Sequence, residues 1–184
     1  MKFEDVPEPK AGPGEVVVKV AACGVCHTDL HYLDHGVATF KKPPMILGHE
    51  AAGLVEEAGA GAAFARGDRV LIPAVFTCGS CDMCRGGREN ICKNMTMLGN
   101  HIDGAFAQYV RVPAKDLVRL PAEVPLEEGA IIADAVSTPY HALKNRANLR
   151  AGDTIVVYGC GGVGMNLVQL ASVMGGIVIA VDLQ

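Results

Sequence analysis

Apolar and polar positions change their rhythm part-way along the chain. Residues 15–21, reading EVVVKVA, alternate and are rich in valine, which predicts a half-buried strand. The same pattern predicts strands at 51–57, 69–73, 106–112 and 117–120, with turns at 59–61 and at Gly67-Asp68. A short helix is expected over 26–33, directly after the first strand. Residues 78–92 are too polar and glycine-rich for a core element and read as a loop lobe. Many short strands over the first ~110 residues predict a mainly β, barrel-like part. After Pro121 the period lengthens. Pro125 opens an apolar helix, with Glu127 and Glu128 in the first turn where the helix dipole favours carboxylates. A second helix is expected over 138–147. Then comes TIVVY at 154–158, an apolar β-branched run suited to a buried parallel strand, followed by a glycine turn and an apolar helix reaching about Met174. Residues 177–181 are expected to form a second buried strand that ends in Asp182, completing one β-α-β unit.

Composition narrows the function. The chain has 184 residues, 50% hydrophobic, with a net charge of -4. Without a long basic run, nucleic acid and anionic membranes are not expected partners. Met1 leads straight into polar residues and prolines, so no signal peptide is expected, and no apolar run is long enough to span a bilayer. Four of the seven cysteines fall within 78–92. That clustering favours metal over disulfides and predicts a reducing compartment, the cytoplasm.

Three sets of residues carry chemistry. Cys78, Cys81, Cys84 and Cys92 are close enough in sequence to close a tetrahedron of thiolates round one zinc. Four sulfurs leave no open position, so this zinc is read as structural, ordering a lobe that lacks a core of its own. An iron-sulfur cluster is the rival for the same ligands. The second set is Cys26, His49 and nearby carboxylates, the ligand types of a catalytic zinc. Thr28 and His31 add a hydroxyl and a titratable ring, the parts of a proton path. Asp29 is placed to hold the far nitrogen of His49, and Glu50 to do similar work or to approach the metal. Each also has an ordinary role open to it: a small buried thiol, or a carboxylate at a helix start. Cys23 competes with Cys26; Cys26 is preferred because it adjoins His27-Thr28-Asp29, while Cys23 ends the strand and is assigned to the core. The third set is Gly159-x-Gly161-x-x-Gly164, between a strand and a helix, with an acid 18 residues later. That is the setting of a dinucleotide fingerprint. Gly159 turns the chain, Gly161 admits the pyrophosphate, and Gly164 lets helix and strand close up, with Gly162 and Val163 in the same cradle. Asp182 would bind the adenosine ribose hydroxyls and repel a 2′-phosphate, favouring NAD over NADP.

Taken together, Gly24-Val25-Cys26-His27-Thr28-Asp29-Leu30-His31, Gly48-His49-Glu50, the four-cysteine lobe and the glycine turn resemble the zinc-dependent alcohol dehydrogenases of the medium-chain dehydrogenase/reductase family. The resemblance implies a GroES-like catalytic domain over 1–133, with its structural-zinc lobe at 76–95. It implies the start of an NAD-binding Rossmann domain over 134–184. It makes Cys26 and His49 the first two ligands of the catalytic zinc and places Asp134 as the third, where the family often has Cys. It puts Thr138 at the nicotinamide and His27 at the coenzyme pyrophosphate. Two zincs per chain and NAD are the implied cofactors. The implied reaction moves hydride between an alcohol and NAD, giving a ketone or aldehyde, with the proton leaving through Thr28, a coenzyme ribose hydroxyl and His31. The resemblance also implies a homodimer or homotetramer for the full-length protein, acting on a small-molecule alcohol or carbonyl. The start looks short of the family's first hairpin, and a doubly wound sheet needs roughly 100 residues beyond Gln184, so the chain is read as a fragment. Within the family, residues 72–75 and 133–140 faintly resemble dehydrogenases of cyclic hydroxyacyl-CoA thioesters. Outside it, the lobe resembles a non-catalytic zinc knuckle that binds a partner; the acidic balance and 5% aromatic content oppose that reading for nucleic acid.

Overall fold

An antiparallel ladder and a parallel one organise the two units of the protein, whose residues 2–183 are described by a computed structural model. The units are Met1–Ala133 and Asp134–Gln184.

In the first unit, the elements in chain order are β1 (Glu15–Gly24), α1 (His27–Asp34), β2 (Glu50–Ala58), β3 (Arg69–Ile72), β4 (Val75–Phe76), α2 (Asp82–Arg85), β5 (Thr96–Met97), β6 (Tyr109–Pro113), β7 (Val118–Arg119) and α3 (Leu126–Ala130). Five strands form one antiparallel sheet in the order β6-β1-β2-β3-β7. Val16, Val18, Ala51, Val55, Val70, Ile72 and Val112 fill one face of it with Phe76 and Leu98, all buried. Burying a side chain such as Ile72 stabilises by about 1.5–3 kcal/mol. The opposite face is covered at β2, where Ala52 packs with Leu120 and Ala130, and Ile132 lies against them. Both faces of β2 are therefore closed, and Glu50, Ala51, Ala52 and Gly53 are buried in succession.

The differences from the sequence reading are local. The strand expected over 106–112 starts only at Tyr109, because the Ala105 and Phe106 N–H groups donate to the carbonyls of Gly48 and Leu47 instead. The ribbon β4–β5 flanks the cysteine lobe and is too short to show any period.

The second unit holds α4 (Ser137–His141), β8 (Thr154–Tyr158), α5 (Gly162–Val173) and β9 (Ile177–Val181). Strands β8 and β9 pair in parallel from Thr154↔Ile177 to Tyr158↔Val181. The helix expected over 138–147 begins as α4, widens into a π-helical stretch over Ala142–Ala147, and stops at Asn148, which has φ 52°. Among the described residues, no helix is long and apolar enough to cross a membrane.

Two candidate metal centres

The register of β1 against β2 explains how residues far apart in sequence meet. Gly24 pairs with Glu50, so the chain leaving β1 at Cys26 and the chain entering β2 at His49 emerge side by side. The ladder fixes this, because a slip by one residue would turn every side chain to the other face. Ligand atoms of Cys26, His49 and Glu50 all lie within 4.8 Å of one another. His49 is 0% exposed and Glu50 4%. Glu50 lies across Gly24, where an added Cβ would sit 2.4 Å from its Oε2.

Asp29 ties the site together. It is 1% exposed, within α1. Its Oδ2 accepts the Cys26 N–H at 3.1 Å and its Oδ1 accepts the Gly48 N–H at 3.2 Å. The same Oδ1 stands 3.3 Å from His49 Nδ1. One carboxylate thus holds the backbone on both sides and faces the ring. Gly48 has φ 95°, and a Cβ there would meet the Phe106 ring at 2.7 Å and Cys23 Sγ at 2.9 Å. Only glycine suits that conformation and that space.

The loop that delivers His49 is anchored by residues that the sequence reading missed. Asp103 Oδ1 accepts the Ile46 N–H at 3.0 Å, and its other oxygen pairs with Lys41. Asn100 Oδ1 accepts the Phe40 N–H at 3.1 Å. These contacts join residues about sixty apart, and no local pattern announces them. Cys23 packs against the core, where burial pushes its thiol up to about 12, and it lies outside the groups of gathered ligand atoms. Thr28 is half-buried in α1, while His27 and His31 are exposed.

The second centre is the cysteine lobe. The sulfurs of Cys78 and Cys92, and of Cys81 and Cys84, are 3.5 Å apart; those of Cys78 and Cys84, and of Cys81 and Cys92, are 3.9 Å apart. A tetrahedron of thiolates at about 2.3 Å from one zinc has edges of roughly 3.8 Å. Backbone N–H groups of Ser80 and Cys81 donate to Cys78 Sγ and pull its thiol down to about 5. N–H groups of Cys84 and Lys93 lower that of Cys81. Burial instead pushes Cys84 up to about 12. A cation resolves this conflict, since a coordinating thiol is deprotonated outright. The donor set and the sulfur spacing both fit zinc.

The glycine turn is formed as its spacing requires. Gly159 has φ 90°, Gly161 caps α5, and a Cβ on Gly164 would sit 1.8 Å from the Gly159 carbonyl oxygen. Cβ atoms built on Gly161 and Gly162 meet nothing within 4 Å, which leaves the helix N-terminus approachable by a pyrophosphate. Val163 begins the exposed side of α5. Asp182 Oδ2 accepts the Cys160 N–H and Oδ1 the Leu183 N–H, both at 2.6 Å, and these bonds hold its carboxyl below the usual range. Asp134 is the first residue of the second unit, with its carboxylate accepting from the Thr138 hydroxyl.

Comparison with known proteins agrees in kind. The alcohol dehydrogenase GroES-like domain matches residues 12–122. An alcohol dehydrogenase of Geobacillus stearothermophilus is 42% identical over 185 residues, taking in 100% of this chain and 55% of that protein. Acetophenone reductase from Geotrichum candidum, solved in complex with NAD, superposes with a TM-score of 0.90 at 39% identity, covering 98% of this chain and 54% of that one. A thermostable alcohol dehydrogenase from Pyrobaculum aerophilum, solved with cobalt and zinc bound, gives a TM-score of 0.91 at 34% identity, over 98% of this chain and 55% of that one. The chain spans about half the length of these relatives.

Proposed function

The chain belongs to the alcohol dehydrogenase GroES-like family, and on that premise we propose that the whole protein is a zinc-dependent oxidoreductase moving hydride between an alcohol and NAD. The observation that carries this is the gathering of half-buried Cys26 with buried His49 and Glu50, with Asp29 gripping both approaches. Neither the acyl-CoA thioester reading nor the knuckle reading is favoured by any relative described above.

When bound, zinc supplies a Lewis acid to the substrate oxygen and NAD supplies the hydride acceptor. Cys26 and His49 hold the metal, His49 through Nε2, because Asp29 faces Nδ1. Asp134 is assigned as the third ligand. Glu50 adds a second buried carboxylate, after Asp29, beside the ligands. The Thr28 hydroxyl relays the alcohol proton, accepting it as it gives up its own, and exposed His31 releases a proton to water. The glycine cradle at Gly159, Gly161, Gly162, Val163 and Gly164 seats the pyrophosphate with His27, Asp182 the adenosine ribose, and Thr138 the nicotinamide. The four cysteines hold the second, structural zinc.

The test uses the complete protein. Cys26→Ala and His49→Ala should each abolish NAD-dependent alcohol oxidation and lower the zinc content from two to one per chain. Full activity in either variant would refute the assignment.

A further inference from the structure

His31 and His35 lie one helical turn apart at the end of α1, and the fold brings their rings together. The ring centroids are 5.2 Å apart with planes inclined at 42°. The His35 N–H donates to the His31 carbonyl at 3.3 Å, which keeps the helical register to the last residue of the pair. Both side chains are exposed. Neither belongs to the groups of ligands gathered round Cys26 or Cys78. Two imidazoles that share one ion, each through a ring nitrogen at about 2.1 Å, have ring centres roughly 5 Å apart. The spacing of four residues on one helical face is also that of the two histidines in helical zinc motifs. The separation of the two rings therefore matches that of a two-histidine chelate.

We propose that His31 and His35 form a surface site for a divalent transition cation of the imidazole-preferring kind, zinc above all, with water in the remaining positions. The consequence for turnover rests on the reading above, in which His31 passes the proton to solvent. An ion held by both rings occupies that exit, so excess zinc acts as an inhibitor at a place separate from the metal that serves the reaction.

The experiment takes the complete protein with its retained zinc and adds further zinc, read by calorimetry and by turnover in parallel. The expected result is one additional equivalent per chain, with activity falling at the same midpoint. His35→Gln is an exposed, polar exchange outside the catalytic machinery. It should fold, keep its basal activity, and lose both the extra equivalent and the inhibition. A titration with no equivalent that depends on His35 overturns the site. An equivalent that depends on His35 but leaves turnover unchanged keeps the site and overturns the role of His31 as the proton exit.

Discussion

Asp29 shows how much can rest on one side chain. Its two oxygens hold the Cys26 and Gly48 N–H groups and face the ring of His49, so ligand positions on two segments share one anchor. Asp29→Asn keeps the shape and removes the charge. It is expected to weaken retention of the metal at Cys26 and His49 by about 10- to 100-fold, measured by competition with a chromophoric chelator, while the four-thiol zinc stays in place. Cys26, His49 and Glu50 were visible in the sequence because such residues travel in short motifs. The triple grip of Asp29 was visible only as a pairing with His49. Its hold on Gly48 depends on the left-handed turn at φ 95°, which no spacing rule reveals.

At the level of elements, the valine-rich strands were legible, and β1, β2, β8 and β9 fall close to their expected limits. The two-residue strands β4 and β5 were not, and the start of β6 was displaced by the bonds that residues 105–106 make to the loop before His49. Strand β7 is short, and charge helps to hold it. Arg119 pairs with Asp68 at 2.6 Å, donates to the Ala63 carbonyl at 2.8 Å and lies over the Phe64 ring. The Ala65 N–H and Arg119 hold the Asp68 carboxyl below its usual range. A carboxyl depressed on folding adds stability above its unfolded pKa of about 3.9, and loses it as pH falls through the folded value. Asp68→Asn should therefore melt at a lower temperature than the parent at pH 7, and the gap should close in acid below about pH 4. The cysteine lobe has little apolar content, so the proposed structural zinc would supply its order. Stripping with a chelator should open residues 78–92 to limited proteolysis while the β1–β2 core stays resistant, as mass spectrometry of the fragments would record.

On the scale of the whole molecule, the proposed roles draw on both units: Cys26, His49 and the cysteine lobe lie in the first, and Asp134 and the glycine turn in the second. The order of strands, helices and glycine turn is the sequence signal for that reading, because each period of apolar residues demands its own kind of layer. Coenzyme choice belongs to this scale, since Asp182 stands at the end of the second parallel strand. Asp182→Ser in the complete protein is expected to shift preference from NAD toward NADP by about tenfold, or ~1.4 kcal/mol, measured as the ratio of kcat/KM values.

The parallel pair has one practical outcome. Tyr158, Ile177 and Ile179 stand open to water on β8 and β9. Greasy ribbons of this sort recruit their own kind, and the attraction strengthens with warmth. Stocks of this polypeptide by itself should stay clear when cold and dilute, and turn cloudy when concentrated and brought to room temperature.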